Sequence, residues 1–84
     1  METNERIPAV ALRCWIEGRR VWLELFDQRL VSFPAIKYPL LADASQALLE
    51  KVQLRLRGKA LRWEELDEDI LVVDALLNTG DAAA

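Results

Sequence analysis

Two neighbouring stretches of the sequence alternate apolar and polar side chains with a period of two. This feature limits what the 84-residue chain can fold into more than any other. The stretches cover residues 9–17 and 20–26, and Gly18-Arg19 supplies a turn between them. A period of two is typical of a β-strand that buries one face. The two stretches therefore predict a β-hairpin at the start of the domain.

The phase of the alternation predicts which side chains share a face. In the first strand the core positions are Val10, Leu12, Cys14 and Ile16. Trp15 and Trp22 are out of phase with the core positions of their strands, so we expect them together on the opposite face of the sheet. Such an aromatic pair either forms a binding surface, for a partner or for a second copy of the chain, or is covered by the C-terminal helix.

A third strand is expected at residues 29–33, after a turn at Asp27-Gln28. Pro34 and Pro39 then bracket a segment that predicts irregular or 3₁₀ structure rather than a strand. Asp43, with Gln46 three residues later, resembles a capping box and predicts a helix of about two turns.

Strict alternation returns at residues 52–57 and places Arg55 and Arg57 on one face of a strand. Gly58-Lys59 fits a tight hairpin turn, and the return strand carries Leu61 and Trp63, which we expect in the core.

The final segment is ambiguous by pattern. Helical spacing of its apolar residues, with Gly80 as a C-cap, predicts a helix on Ile70, Val73, Leu76 and Leu77. Residues 70–73 fit a short strand equally well. Together these elements predict an α+β domain at residues 9–80, flanked by tails at 1–8 and 81–84. Its core is a small antiparallel meander sheet of about five strands with two short helices.

Composition narrows the classes of function. The net charge is −3, with 11 Lys and Arg against 14 Asp and Glu and no His, so nucleic acid is expected as a partner only indirectly. The single cysteine excludes an internal disulfide, and neither a signal peptide nor a membrane span is evident. We expect a cytoplasmic protein that does not enter membranes.

Five carboxylates, at Glu64, Glu65, Asp67, Glu68 and Asp69, follow Trp63 directly. They lack the spacing of a calcium loop, and neighbours in one loop cannot face each other across a glycosidase cleft unaided. Two interpretations remain, a solvated loop that caps the next helix and balances nearby arginines, or a surface that recognises a partner.

Five of the basic residues lie close by in the sequence, at Lys51, Arg55, Arg57, Lys59 and Arg62. They could contact phosphates or an acidic protein surface, or pair with carboxylates across the hairpin. Cys14 has no His available as a base, and the glycines are too scattered for a phosphate-binding loop. We therefore expect no enzymatic activity, no cofactor and no metal.

Three segments resemble the small bacterial family known as domain of unknown function 2442 (DUF2442). They cover residues 21–29, 38–42 and 61–70, and the last contains the Trp63-to-Ile70 block. The chain departs from the family pattern at Gln28, Arg62 and Glu64, where Gly, His and Pro are frequent. The resemblance implies a compact α+β fold. It also implies a binding role, because members are often encoded beside small partner proteins in arrangements resembling toxin–antitoxin pairs.

We therefore expect a non-enzymatic, antitoxin-like module that binds a small partner protein. The expected contact residues are Trp63, Glu64, Asp67, Glu68, Asp69, Arg55, Arg57, Arg62, Trp15 and Trp22. The alternative function is a nucleic-acid-associated or transcription-regulatory accessory domain that uses the basic face of the hairpin. Pairing of Trp15 and Trp22 between two copies would produce a homodimer.

Overall fold

The computed structural model describes residues 9–77, which form two three-stranded antiparallel sheets around one core. The predicted tails at 1–8 and 81–84, and the predicted C-cap at Gly80, lie outside the described residues. The α+β class is confirmed. The single meander of about five strands is replaced by two separate sheets, because residues 34–52 carry the chain away from the first sheet before the second begins.

Sheet A consists of β1 (Ala11–Glu17), β2 (Arg20–Leu25) and β3 (Leu30–Pro34), in that order. The register between β1 and β2 shifts between Ala11 and Arg13, which marks a β-bulge. As a result Ala11 is buried and Leu12 is 53% exposed, so the predicted core position at Leu12 is wrong. Beyond the bulge Cys14 and Ile16 face the core as expected.

Sheet B consists of β4 (Gln53–Arg55), β5 (Ala60–Trp63) and β6 (Glu68–Leu71). The strand predicted over 52–57 ends early because φ is positive at Leu56, Arg57 and Gly58, which form a one-turn 3₁₀ segment, Leu56–Gly58. Gly58 is required there, since a Cβ on it would overlap the carbonyl oxygen of Ala11. This close approach fixes the turn of sheet B against β1.

Among residues 9–77, three short helices accompany the sheets: α1 (Pro39–Ala42), α2 (Gln46–Leu49) and α3 (Val72–Leu77). The bracketed segment forms a 3₁₀ turn at Ala35–Lys37, as predicted. The capping box at Asp43 does not form. Instead Ser45 caps α2, and its hydroxyl oxygen accepts a hydrogen bond from the backbone N–H of Leu48 at 3.1 Å.

Each of the two predictions for residues 70–73 is confirmed in part, because strand β6 ends at Leu71 and helix α3 starts at Val72. The helical face is displaced from the predicted one. Val72 and Ala75 are buried, whereas Val73 is 53% exposed. None of the helices among residues 9–77 is long and apolar enough to cross a lipid bilayer.

Candidate interaction surfaces

Trp63 occupies the centre of the core, where the sequence places it. The side chain is 1% exposed, and the indole Nε1 donates a hydrogen bond to the carbonyl oxygen of Leu49 at 2.9 Å. A buried indole N–H needs such a partner, and the bond ties β5 to the end of α2. The side chain therefore reaches no surface at which a partner could contact it.

The acidic loop that follows Trp63 folds back onto Arg62. The guanidinium donates from Nε to Glu64 at 2.9 Å, from Nη2 to Asp67 at 2.9 Å and from Nη1 to Asp69 at 2.7 Å. The hydrogen bonds that Arg62 donates to Asp69, Asp67 and Glu64, in that order of size, raise the pKa of Arg62 above its ordinary value. The Arg62 side chain is only 19% exposed, whereas that of Asp67 is 89% exposed. One sheltered cation thus holds three solvent-facing carboxylates in place.

The backbone around this loop determines where each carboxylate points. Asp67 ends the 3₁₀ segment Glu64–Leu66 with φ of 52°, a left-handed conformation that Asp tolerates better than most residues. Asp69 then faces Arg62 directly across β5 and β6, and Glu68 faces Trp63. Glu68 is half-buried and has no ion pair within residues 9–77.

The basic residues of the hairpin are mostly paired. Arg55 lies 3.3 Å from Glu64, and Lys51 lies 3.2 Å from Glu65. Of the two interpretations of these residues, pairing with carboxylates is confirmed for Lys51, Arg55 and Arg62. The prediction that Arg55 and Arg57 share a strand face is wrong, because Arg57 lies in the left-handed turn beyond β4.

A groove of about 400 Å³ runs along the outer face of sheet B beside these charges. It is lined by Arg55, Leu56, Ala60, Arg62, Asp69 and Leu71. Leu56 is 66% exposed and Leu71 is 45% exposed, so the groove has an apolar end and a charged end. The sequence analysis missed both leucines, although Leu71 is out of phase with the buried Ile70 in its strand.

The outer face of sheet A carries the two other tryptophans. Trp15 and Trp22 face each other across β1 and β2, and their rings stack at 6.2 Å between centroids with an interplanar angle of 11°. The two residues are half-buried, and the guanidinium carbon of Arg13 lies 4.8 Å from the centre of the Trp15 ring. The predicted pairing of the tryptophans is confirmed.

The C-terminal helix lies on the opposite side of sheet A from this pair. The buried residues of α3, Val72 and Ala75, belong to the same core cluster as Val21 and Leu23 of β2, which point away from Trp22. Of the two interpretations offered for the tryptophans, cover by the helix is therefore wrong.

Within the described part of the chain, no three His, Cys, Asp or Glu side chains are grouped so that they could hold a metal ion. Burial raises the pKa of the Cys14 thiol, which disfavours the reactive thiolate.

Comparison with known proteins identifies relatives but no activity. The family model described as "Protein of unknown function (DUF2442)" matches residues 15–80. A crystal structure of a protein of unknown function from Rhodospirillum rubrum ATCC 11170 is similar, with 25% sequence identity and a TM-score of 0.77. The similarity covers 83% of this chain and 87% of that one. A search of curated proteins finds no significant match.

Proposed function

The chain belongs to the DUF2442 family, whose function is unknown, and we propose that this member is a non-enzymatic module that binds a small partner protein. The docking surface is the outer face of sheet B. The observation that carries the proposal is the groove in which exposed Leu56 and Leu71 adjoin the charge cluster around Arg62.

The apolar end of the groove supplies the binding energy. Leu56 is held out of the core by a backbone with φ of 54°, a conformation that costs a leucine roughly 1–2 kcal/mol. Strain of this kind concentrates at functional sites. Exposed apolar side chains next to a polar rim are typical of protein–protein interaction sites.

The charged end determines what kind of partner fits. Glu64, Asp67 and Asp69 each use one oxygen on Arg62, and a carboxylate has lone pairs for further hydrogen bonds. Because Arg62 already fixes the carboxylates, a partner would not have to order them. The partner we propose is therefore a small protein that presents an apolar side chain flanked by Lys or Arg.

The family resemblance implies an antitoxin-like role. In that case the small partner protein of this proposal is a toxin. The alternative function, a nucleic-acid accessory domain, has less support, because most of the basic residues that it would use are already paired. Lys51, Arg55 and Arg62 are already paired with carboxylates, so phosphates would have to displace those groups.

The test is an affinity capture from native lysate with matched variants. Leu56→Asn suits the left-handed backbone at that position, and Leu71→Thr suits a strand, so both should leave the fold intact by circular dichroism. The control is Ile36→Asn, which removes a 77% exposed apolar side chain outside the groove.

A small protein bound at equal stoichiometry to wild type and to Ile36→Asn, but lost from both groove variants, would support the proposal. Equal capture by all four proteins would refute the groove as the docking site. Nucleic acid that is retained by wild type and released as salt is raised would favour the accessory domain instead.

A further inference from the structure

The outer face of the β1–β2 hairpin carries an internal two-fold symmetry that begins in the sequence. Residues 13–17 and 20–24 share the pattern Arg-x-Trp-x-Glu, in which x is apolar. This five-residue repeat and its four charged residues are not among the features predicted from the sequence. Residues at alternate positions of a strand point to the same face, so all six repeated side chains lie on one surface.

The strand register arranges these side chains in three rows. Trp15 faces Trp22 in the middle row, Arg13 faces Glu24 on one side, and Glu17 faces Arg20 on the other. An antiparallel pair has a local two-fold axis perpendicular to the sheet, and here that axis relates each residue to the same residue type in the other repeat. The four charges therefore form a checkerboard around a stacked aromatic centre.

We propose that this face binds the same face of a second copy of the chain. The second copy is related to the first by a two-fold axis that lies in the plane of the interface. This rotation places each positive corner of one copy opposite a negative corner of the other. This holds for the axis along the strands and for the axis across them. The pattern is therefore self-complementary, as a two-fold interface between identical chains requires.

Two charged residues of this face have no oppositely charged partner, which supports a second copy of the chain as the binding partner. Arg13 pairs with Glu24 at 2.6 Å. Within residues 9–77, however, neither Glu17 nor Arg20 has an oppositely charged partner, although the two residues are cross-strand neighbours. Arg20 donates from Nε to the hydroxyl of Ser32 at 2.9 Å, and Glu17 accepts from the indole of Trp15 at 3.1 Å. In the face-to-face pair these two charges meet their opposites.

The size of the face determines how strong the association is. Three strands of about six residues cover roughly 15 by 20 Å, which is small for a protein interface. Such a contact gives a weak, reversible dimer rather than an obligate one. Leu30 and Phe26, which are 56% and 42% exposed, border the face and add apolar area.

The test exchanges the charges. Arg13→Glu/Arg20→Glu makes the four corners acidic, and Glu17→Arg/Glu24→Arg makes them basic. Each protein is studied by sedimentation velocity from about 10 μM to about 500 μM, a range suited to small interfaces. Wild type should dimerise within this range, and each double variant should dimerise at least tenfold more weakly.

An equimolar mixture of the two double variants should recover the association, because all four corners are again complementary between copies. The control is Arg57→Glu/Lys59→Glu, which changes the net charge by the same amount as Arg13→Glu/Arg20→Glu but on exposed residues of the turn between β4 and β5, and it should dimerise as wild type does. Circular dichroism establishes that each variant is folded.

Three results would overturn the proposal: a wild type that stays monomeric throughout, folded double variants that dimerise as wild type does, or a mixture of them that remains monomeric. The result is independent of the groove on sheet B, whose variants leave the sheet A face unchanged.

Discussion

The two sheets use the same residue types in opposite ways. In sheet A, Trp15 and Trp22 stack on the outer face and arginines lie around them. In sheet B, Trp63 is in the core, and on the outer face Arg62 binds three carboxylates. The sheet A face carries balanced charge and is symmetric, which suits a second copy of itself. The sheet B face is asymmetric, with the carboxylates of Glu64, Asp67 and Asp69 around Arg62 at one end and exposed Leu56 and Leu71 at the other, which suits a different, basic partner.

The largest expected effect separates the inner tryptophan from the outer ones. Trp63→Ala should lower the free energy of unfolding by about 3–5 kcal/mol, because it leaves a cavity in the core and removes the donor to Leu49. Trp22→Ala should lower it less, because the half-buried side chain leaves no enclosed cavity and the aromatic pair itself contributes about 0.5–1.5 kcal/mol. Urea unfolding at low micromolar concentration measures both. Equal losses would show that the Trp15–Trp22 pair is also part of the core.

The next effect tests the different roles of the arginines. Arg62→Gln should lower the urea midpoint more than Arg13→Gln does, because three carboxylates lose their shared cation in the first case and one carboxylate in the second. Repulsion among the freed carboxylates is screened at about 1 M salt, where the screening length is about 3 Å. High salt should therefore restore much of the loss in Arg62→Gln. If the loss is unchanged by salt, packing of the Arg62 side chain is the cause rather than charge.

The same contrast explains which features could be predicted from the sequence. Alternation predicted the hairpin of sheet A and the Trp15–Trp22 pair, since a period of two depends only on local geometry. It could not predict that strands beyond Pro34 form a separate sheet, because pairing between strands is not encoded in the pattern of either strand. Nor could it predict the bulge that exposes Leu12, since one extra residue shifts the phase without changing the composition.

The acidic loop was predicted only in part for a related reason. The prediction is that its carboxylates balance nearby arginines and cap the next helix. They pair with Arg62 and Arg55, and also with Lys51, but strand β6 rather than a helix follows the loop. That three of them converge on Arg62 depends on the register that places Asp69 opposite it and on the left-handed backbone at Asp67. An Asp in the sequence does not by itself predict a left-handed backbone conformation, because Gly and Asn are the residues most often found in that conformation.

A smaller effect distinguishes the turns of the two sheets, both of which contain a non-glycine residue with positive φ. Gln28 has φ of 75° in the turn of sheet A, and its side chain makes no hydrogen bond that fixes it there within residues 9–77. Gln28→Gly should raise the free energy of unfolding by about 1 kcal/mol, because glycine adopts this conformation without a steric penalty. Thermal unfolding at matched concentration measures the change.

Asp67→Gly is the matched control for that prediction. Its φ of 52° is also left-handed, but the side chain accepts a hydrogen bond from Arg62 that glycine would remove. We therefore expect Asp67→Gly to be no more stable than wild type. A gain equal to that of Gln28→Gly would mean that the bond from Arg62 contributes nothing.

The smallest effect compares the two faces of β1 within sheet A. Cys14 points toward the core beside the outward-facing Trp15, and its burial raises the pKa of the thiol above the ordinary value. Since the folded pKa is the higher one, the neutral thiol favours the folded state. This contribution is fully present below the ordinary thiol pKa, near pH 8–9. It is lost as pH rises through the folded value.

Wild type should therefore lose stability relative to Cys14→Ala only in alkaline solution. Urea midpoints at pH 7 and about pH 10 measure the difference, and parallel behaviour of the two proteins would place Cys14 in contact with water.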